Sequence, residues 1–106
     1  MILGVTALAG KTSRDRQISY YTINGYFAGR VEEYCEGTVT GATLYTATSQ
    51  GSIATAYANN ETIYLNTALT MLASSGIYSD NRGGKPGSVS YEWDKVNGWQ
   101  TTNTCS

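Results

Sequence analysis

The sequence predicts an all-β fold, a small antiparallel sandwich or barrel-like domain of hairpins behind an extended N-terminal segment. Three observations carry this. Nine tyrosines accompany abundant Thr, Ile and Val, the residues that suit a pleated, half-buried surface. Twelve glycines supply turns. Several short runs alternate apolar and polar residues between turn signals.

The elements follow in order. Residues 17–23, QISYYTI, read as a strand, and Asn24-Gly25 is a two-residue hairpin signal. Tyr26–Cys35 is then the return strand, with Gly29 as a bulge. Thr38–Thr48 is strand-like. Ile53–Ala58, IATAYA, reads as a short strand between turns at Ser49–Gly51 and Asn59-Asn60. Thr62–Tyr64 and Gly76–Tyr78 are strand ends around TALTMLASS. Leu69, Leu72 and Ala73 in that insert fit helical spacing. Two turns of helix are unstable alone, and Thr67 and Thr70 are poor interior residues, so a single helical turn or a tight crossover between two strands is expected instead. Asp80–Gly87 is a loop. In Ser88–Asp94, Val89, Tyr91 and Trp93 share one face, which leaves Ser90, Glu92 and Asp94 for solvent. Asn97-Gly98 marks a second hairpin, across which Trp93 and Trp99 are expected to meet.

At 106 residues the chain makes one domain, divided here into an apolar/basic arm, 1–16, and a β domain, 17–106. Charged residues are 14% of the chain against an ordinary share of about 25%. The net charge of −1 supplies no field for nucleic acid or an anionic membrane. No apolar run approaches the ~18 residues of a membrane span. In Met1–Lys11 the basic residue follows the apolar part, the reverse of a secretory signal. The segment is therefore expected to be retained and buried, as a strand or as an arm on a neighbouring subunit.

Chemistry is sparsely represented. The chain has no histidine, the commonest general base and metal ligand. Glu32 and Glu33 would face opposite sides of a strand, and Glu92 with Asp94 would face solvent. Gly83-Gly84-Lys85-Pro86-Gly87 lacks the first glycine of a phosphate loop, and Pro86 removes an N–H. The sequon Asn60-Glu61-Thr62 has no secretory signal to give it meaning. No catalytic residue, cofactor or metal is expected. Cys35 and Cys105 are the only cysteines. A reducing cytoplasm favours two buried thiols, and one bridge tying the C-terminus to Cys35 is the alternative. Tyr20, Tyr21 and Tyr26 crowd one segment and favour a subunit or partner contact over a sugar site.

From Cys35 to Cys105 the order of motifs is a cysteine, ETIYLNTALTMLASSGIYSDN, VSYEWD, W-x-x-x-x-G-W over Trp93–Trp99, and a final cysteine. This resembles a small tyrosine-rich β-module of phage virion proteins and of surface proteins of Bacteroidetes-type bacteria. Thr62, Ile63, Tyr64, Leu69, Thr70, Gly76, Tyr78, Ser79 and Asp80 fit its pattern, as do Tyr91, Trp93, Gly98, Trp99 and Cys105. The Asp80–Gly87 loop departs from it, replacing a shorter turn. The resemblance implies a structural or attachment role and carries over no catalytic residue. The expected function is therefore that of a phage virion structural protein, a head decoration, head fibre or tail-associated part. It would be a homo-oligomer docked on other virion proteins, made in the host cytoplasm. Ile2, Leu3, Val5 and Leu8 would anchor it, together with Tyr20, Tyr21 and Tyr26. The alternative is a glycan-binding module that stacks sugars on Trp93, Trp99 and Tyr91.

Overall fold

The computed structural model describes residues 19–106; the arm 1–16, and with it Ile2, Leu3, Val5 and Leu8, lies outside the described residues. Five strands form one open antiparallel sheet: β1 (Tyr21–Ala28), β2 (Thr40–Thr46), β3 (Gly76–Ser79), β4 (Val89–Asp94) and β5 (Gly98–Thr104), in the order β2-β1-β3-β4-β5. Two short helices, α1 (Val31–Cys35) and α2 (Ile53–Ala58), lie in the connections. The expected all-β antiparallel class is thus observed, as a single layer.

The first expected hairpin is not there. Asn24 and Gly25 lie in the middle of β1, paired with Thr43 and Ala42 of β2. Gly25 is a glycine because of what packs on it. A Cβ there would come within 2.7 Å of the Ser79 carbonyl oxygen and 3.0 Å of Ile53 Cγ1. Close approach of the β3 backbone and of α2, not a turn, selects the residue. The chain leaves β1 only at Gly29-Arg30, so the return strand expected over Tyr26–Cys35 is instead the end of β1 followed by α1. The Glu33 side chain of α1 reaches back to accept from the Gly29 N–H at 3.2 Å, closing the entry of this one-turn helix.

The strand expected over Ile53–Ala58 is α2, and its start is satisfied almost completely. Ser52 Oγ accepts from the Thr55 N–H at 3.1 Å. The Asp80 carboxylate, 27 residues on, accepts from the N–H groups of Ile53 (2.6 Å) and Ala54 (3.0 Å). Three of the four donors that a helix start leaves open are thereby used. Ile53 and Ala56, one turn apart, are both fully buried. Asp80→Ala should cost about 1–2 kcal/mol, since two charge-assisted bonds are lost together, and urea denaturation reads this directly.

Residues 59–75 form no helix. Tyr64 bridges Tyr45 on one side and Leu72 on the other. The turn between is held by Asn66 Oδ1, which accepts from Thr70 N and Met71 N, and Leu69 takes a φ of 58°. The expected crossover is what the chain adopts, flanked by one-residue bridges and by β3. The 80–87 loop and the β4–β5 hairpin at Asn97-Gly98 also stand as expected, with Gly98 at φ 86°.

Cross-strand partners share a face, so the sheet has two distinct sides. On one, Ile23, Leu44, Tyr78 and Trp93 pack with Ile53, Ala56, Ile63 and Ala73 of α2 and the crossover. On the other, Ala28, Ile77 and Tyr34 pack with Cys105. The expectation that Ser90 faces solvent fails here. It opposes Asn103 in β5 and is fully buried on the second side, because α1 and the 80–87 loop cover that face too. Beneath the loop the Tyr34 hydroxyl lies 2.8 Å from Ser79 Oγ and 3.1 Å from the Val89 carbonyl, and it donates to Asn81 Oδ1.

The two cysteines are joined, with Cα atoms 5.5 Å apart. The free-thiol expectation rested on compartment alone. The fold brings the end of β5 onto α1, within bridging distance. Burial pushes the Tyr78 phenol up to about 12, while its hydroxyl donates to the Ser74 carbonyl at 2.7 Å. The unfolded phenol ionises near 10. Between those values the unfolded chain releases a proton that the folded chain keeps, so the domain should lose stability as pH rises from about 10 to 12. Melting temperature followed across that window checks it.

Candidate assembly surface at the sheet edge

Among the described residues, the large apolar side chains that remain exposed are Tyr20 (46%), Tyr21 (44%), Leu65 (43%), Met71 (56%) and Val96 (87%). Val96 is the tip of the β4–β5 hairpin. The other four belong to one edge of the sheet. Tyr20 packs edge-on against Tyr45 of β2, ring centroids 5.7 Å apart, and Tyr21 pairs with Thr46. Tyr45 exchanges backbone bonds with Tyr64 at 2.8 and 2.9 Å. The next residue, Leu65, donates its N–H to the Met71 carbonyl at 2.8 Å. The crossover thus sets two aliphatic side chains beside the outer strand.

That outer strand is only partly covered. Tyr45 turns its N–H and C=O outward to Tyr64. Antiparallel ladders alternate every two residues, so Thr43 and Gly41 turn theirs outward as well. Among the described residues no backbone group bonds to them there. Beside this stretch lies a groove of about 270 Å³, walled by Phe27, Ala42, Leu44, Leu65 and Tyr78. An open, apolar-flanked strand edge is a template for another strand.

The opposite edge is different. β5 presents Gln100, Thr101, Thr102 and Thr104 to solvent, and its register with β4 shifts between Tyr91 and Trp93. Polar side chains and a bulge are how exposed edges are kept from pairing.

Tyr26, the third expected contact tyrosine, is half-buried on the loop-side face rather than at the edge. The Arg82 guanidinium lies 5.3 Å from its ring centroid. Two shallow depressions, of about 490 and 730 Å³, meet at Tyr26, Asp80 and Arg82. Both Asp80 oxygens are already spent on α2.

The tryptophans do not form an open platform, which corrects the alternative site. Trp93 is buried, and its indole N–H donates to the Ala73 carbonyl at 3.0 Å. Trp99 donates to the Glu61 carbonyl at 2.7 Å. The two rings do meet across the hairpin as expected, at 5.1 Å, but inclined by 64°. Tyr91 packs on Tyr57 at 4.9 Å. These aromatics pin the crossover to the sheet. Their faces are turned to one another, where a stacked sugar would need them open and coplanar.

Tyr20 and Tyr21, expected at a subunit or partner contact, are exposed in the single chain. Sequence reasoning missed Leu65 and Met71. The signal available was that the insert carries more apolar residues than two turns can bury on one side. Among the described residues no group of three or more His, Cys, Asp or Glu could hold a metal ion, and no helix is long and apolar enough to cross a membrane. Fold and surface define a small disulfide-bridged antiparallel β-domain with one apolar sheet edge. Comparisons with protein-family models, curated proteins and solved structures find no match to this chain.

Proposed function

We propose that this chain is a structural protein of a phage particle, a head decoration, head fibre or tail-associated part, and that it works by assembly through its β2 edge. The observation that carries the assembly reading is the unpaired backbone of β2 at Gly41 and Thr43 with exposed Leu65 beside it, on a strand whose other end lies beside exposed Tyr20 and Tyr21. The particle setting is supported by the resemblance of residues 35–105 to tyrosine-rich β-modules of virion proteins. A bridge between Cys35 and Cys105 suits a domain that ends its life outside a reducing cytoplasm. Low charge lets identical copies pack without mutual repulsion.

The test is occupancy. Mass spectrometry of purified particles should find the chain at fixed stoichiometry. The double variant Leu65→Glu, Met71→Glu should reduce its incorporation at least tenfold while leaving the melting temperature within a few degrees, because both side chains are exposed in the free domain. Particles that lack the chain would contradict the setting. Normal incorporation of the double variant would contradict the surface.

A further inference from the structure

We propose that residues Ile2–Ala9 of a neighbouring copy add as a sixth strand to the free edge of β2 at Gly41–Thr43, seating aliphatic side chains in the groove beside Leu65. The inference rests on the assembly reading above and names the occupant of that surface.

The edge constrains what can fill it. Thr43 and Gly41 offer outward N–H and C=O groups at strand spacing, so the occupant must supply extended backbone. The groove alongside carries the apolar side chains of Phe27, Ala42, Leu44, Leu65 and Tyr78 among the hydroxyls of Thr40, Thr43 and Ser74, so it suits an occupant with aliphatic side chains on that face. An occupant without charge loses no solvated ion on docking. Residues 2–9, ILGVTALA, meet all three requirements. The first charge after them is Lys11, and in extended form Leu3, Val5, Ala7 and Ala9 share one face.

Position supports the same occupant. The segment joins β1 through residues 10–18, and β1 begins beside Thr46, on the strand that carries the open edge. Nine extended residues reach about 30 Å, enough to leave one domain and arrive at the same edge of the next. That stretch, GKTSRDRQI, is polar and suits a crossing between domains. Leu65, exposed in the single copy, lies beside this seat and would be covered by the arriving segment.

The experiment compares the full chain with a variant lacking residues 1–9, with Thr43→Pro and with Leu65→Lys, by light scattering over a dilution series. Proline at Thr43 removes an outward N–H and leaves the β1 ladder intact, as edge strands tolerate. The full chain should scatter as a multiple of 11.4 kDa. Each variant should scatter as a single copy, with far-ultraviolet circular dichroism and melting unchanged. A synthetic peptide of residues 1–11 should bind the shortened chain, and at least tenfold more weakly when Thr43→Pro is added. A shortened chain that still assembles would overturn the arm while leaving the assembly reading standing. A Thr43→Pro chain that assembles normally would overturn the β2 edge as its seat. A full chain that is monomeric throughout would remove the assembly reading and the inference with it, including where the peptide still binds, since the segment would then dock within its own copy.

Discussion

Replacing both Cys35 and Cys105 by serine is expected to lower the stability of the domain by about 4 kcal/mol, which for a domain of this size is roughly 15–25 °C in melting temperature. The bridge joins residues 70 apart in sequence, so it restricts nearly the whole unfolded chain of the β domain. Loop-closure entropy grows only with the logarithm of length, but at this span it is already large. The local packing adds to it. Cys105 is buried with Tyr34, Ala28 and Ile77 in the smaller of the two cores, and the bridge holds the chain just past β5 to the end of α1. Reduction of the native chain should reproduce the loss, and the double serine variant should then be indifferent to reductant. Guanidinium denaturation with and without reductant measures both. A small domain with one open sheet has little reserve, so the reduced form should be close to its unfolding threshold at 37 °C.

Trp93→Ala is the second large effect, expected at about 3–5 kcal/mol. Trp93 is 3% exposed and ends an aromatic chain centred on Trp99, which lies 5.1 Å from Trp93 and 6.4 Å from Tyr78. Its removal leaves a cavity under the crossover, and it also strips the Ala73 carbonyl of the indole donor at 3.0 Å. Both losses act on one element. The crossover 59–75 is tied to the sheet by the Tyr45–Tyr64 bridge, the two indole bonds, the Tyr78–Ser74 bond and the packing of Ile63 and Ala73, and Trp93 supports several of these, so its exchange protection should fall further than that of β1. Hydrogen exchange on Trp93→Ala separates this from uniform destabilisation. Protection lost first at Ala73 and Tyr64 is the expected pattern. The consequence for function is direct, because the crossover carries Leu65 and Met71 to the β2 edge.

Where sequence and structure agree, the determinants are local. Asn97-Gly98 makes a hairpin because its partners follow at once in both strands, and Trp93 and Trp99 meet for the same reason. TALTMLASS declines to be a helix because it is short and its caps are spent on an Asn66 turn. Where they part, something distant decides. Asn24-Gly25 carries the same turn chemistry as Asn97-Gly98, yet the Ser79 carbonyl and Ile53 take the space above Gly25 and β1 runs straight through. IATAYA suits either period. Ile53, Thr55 and Tyr57 alternate, while Ile53 and Ala56 share a helical face. The Asp80 carboxylate, brought from β3, supplies the donors' partners and favours the helix. The cysteine pairing was open in sequence because two thiols carry no record of their distance.

The candidate surface was half legible for a related reason. Tyr20 and Tyr21 stand out by composition, but Leu65 and Met71 look like core residues until the crossover is seen to run along the outside of β2. Apolar periodicity assigns a residue to a face and says nothing about whether that face is covered. The cover here comes from tertiary placement: β5 is left with threonines at its edge, and β2 with aliphatic neighbours.

The central claim is that this edge joins copies of the chain. Light scattering of the oxidised, full-length chain over a hundredfold dilution tests it most directly. The account predicts a mass that is a multiple of 11.4 kDa and falls to a single copy in the Leu65→Glu, Met71→Glu variant. A mass of one copy at every concentration of the unaltered chain, or an oligomer indifferent to two charges at that edge, would contradict it.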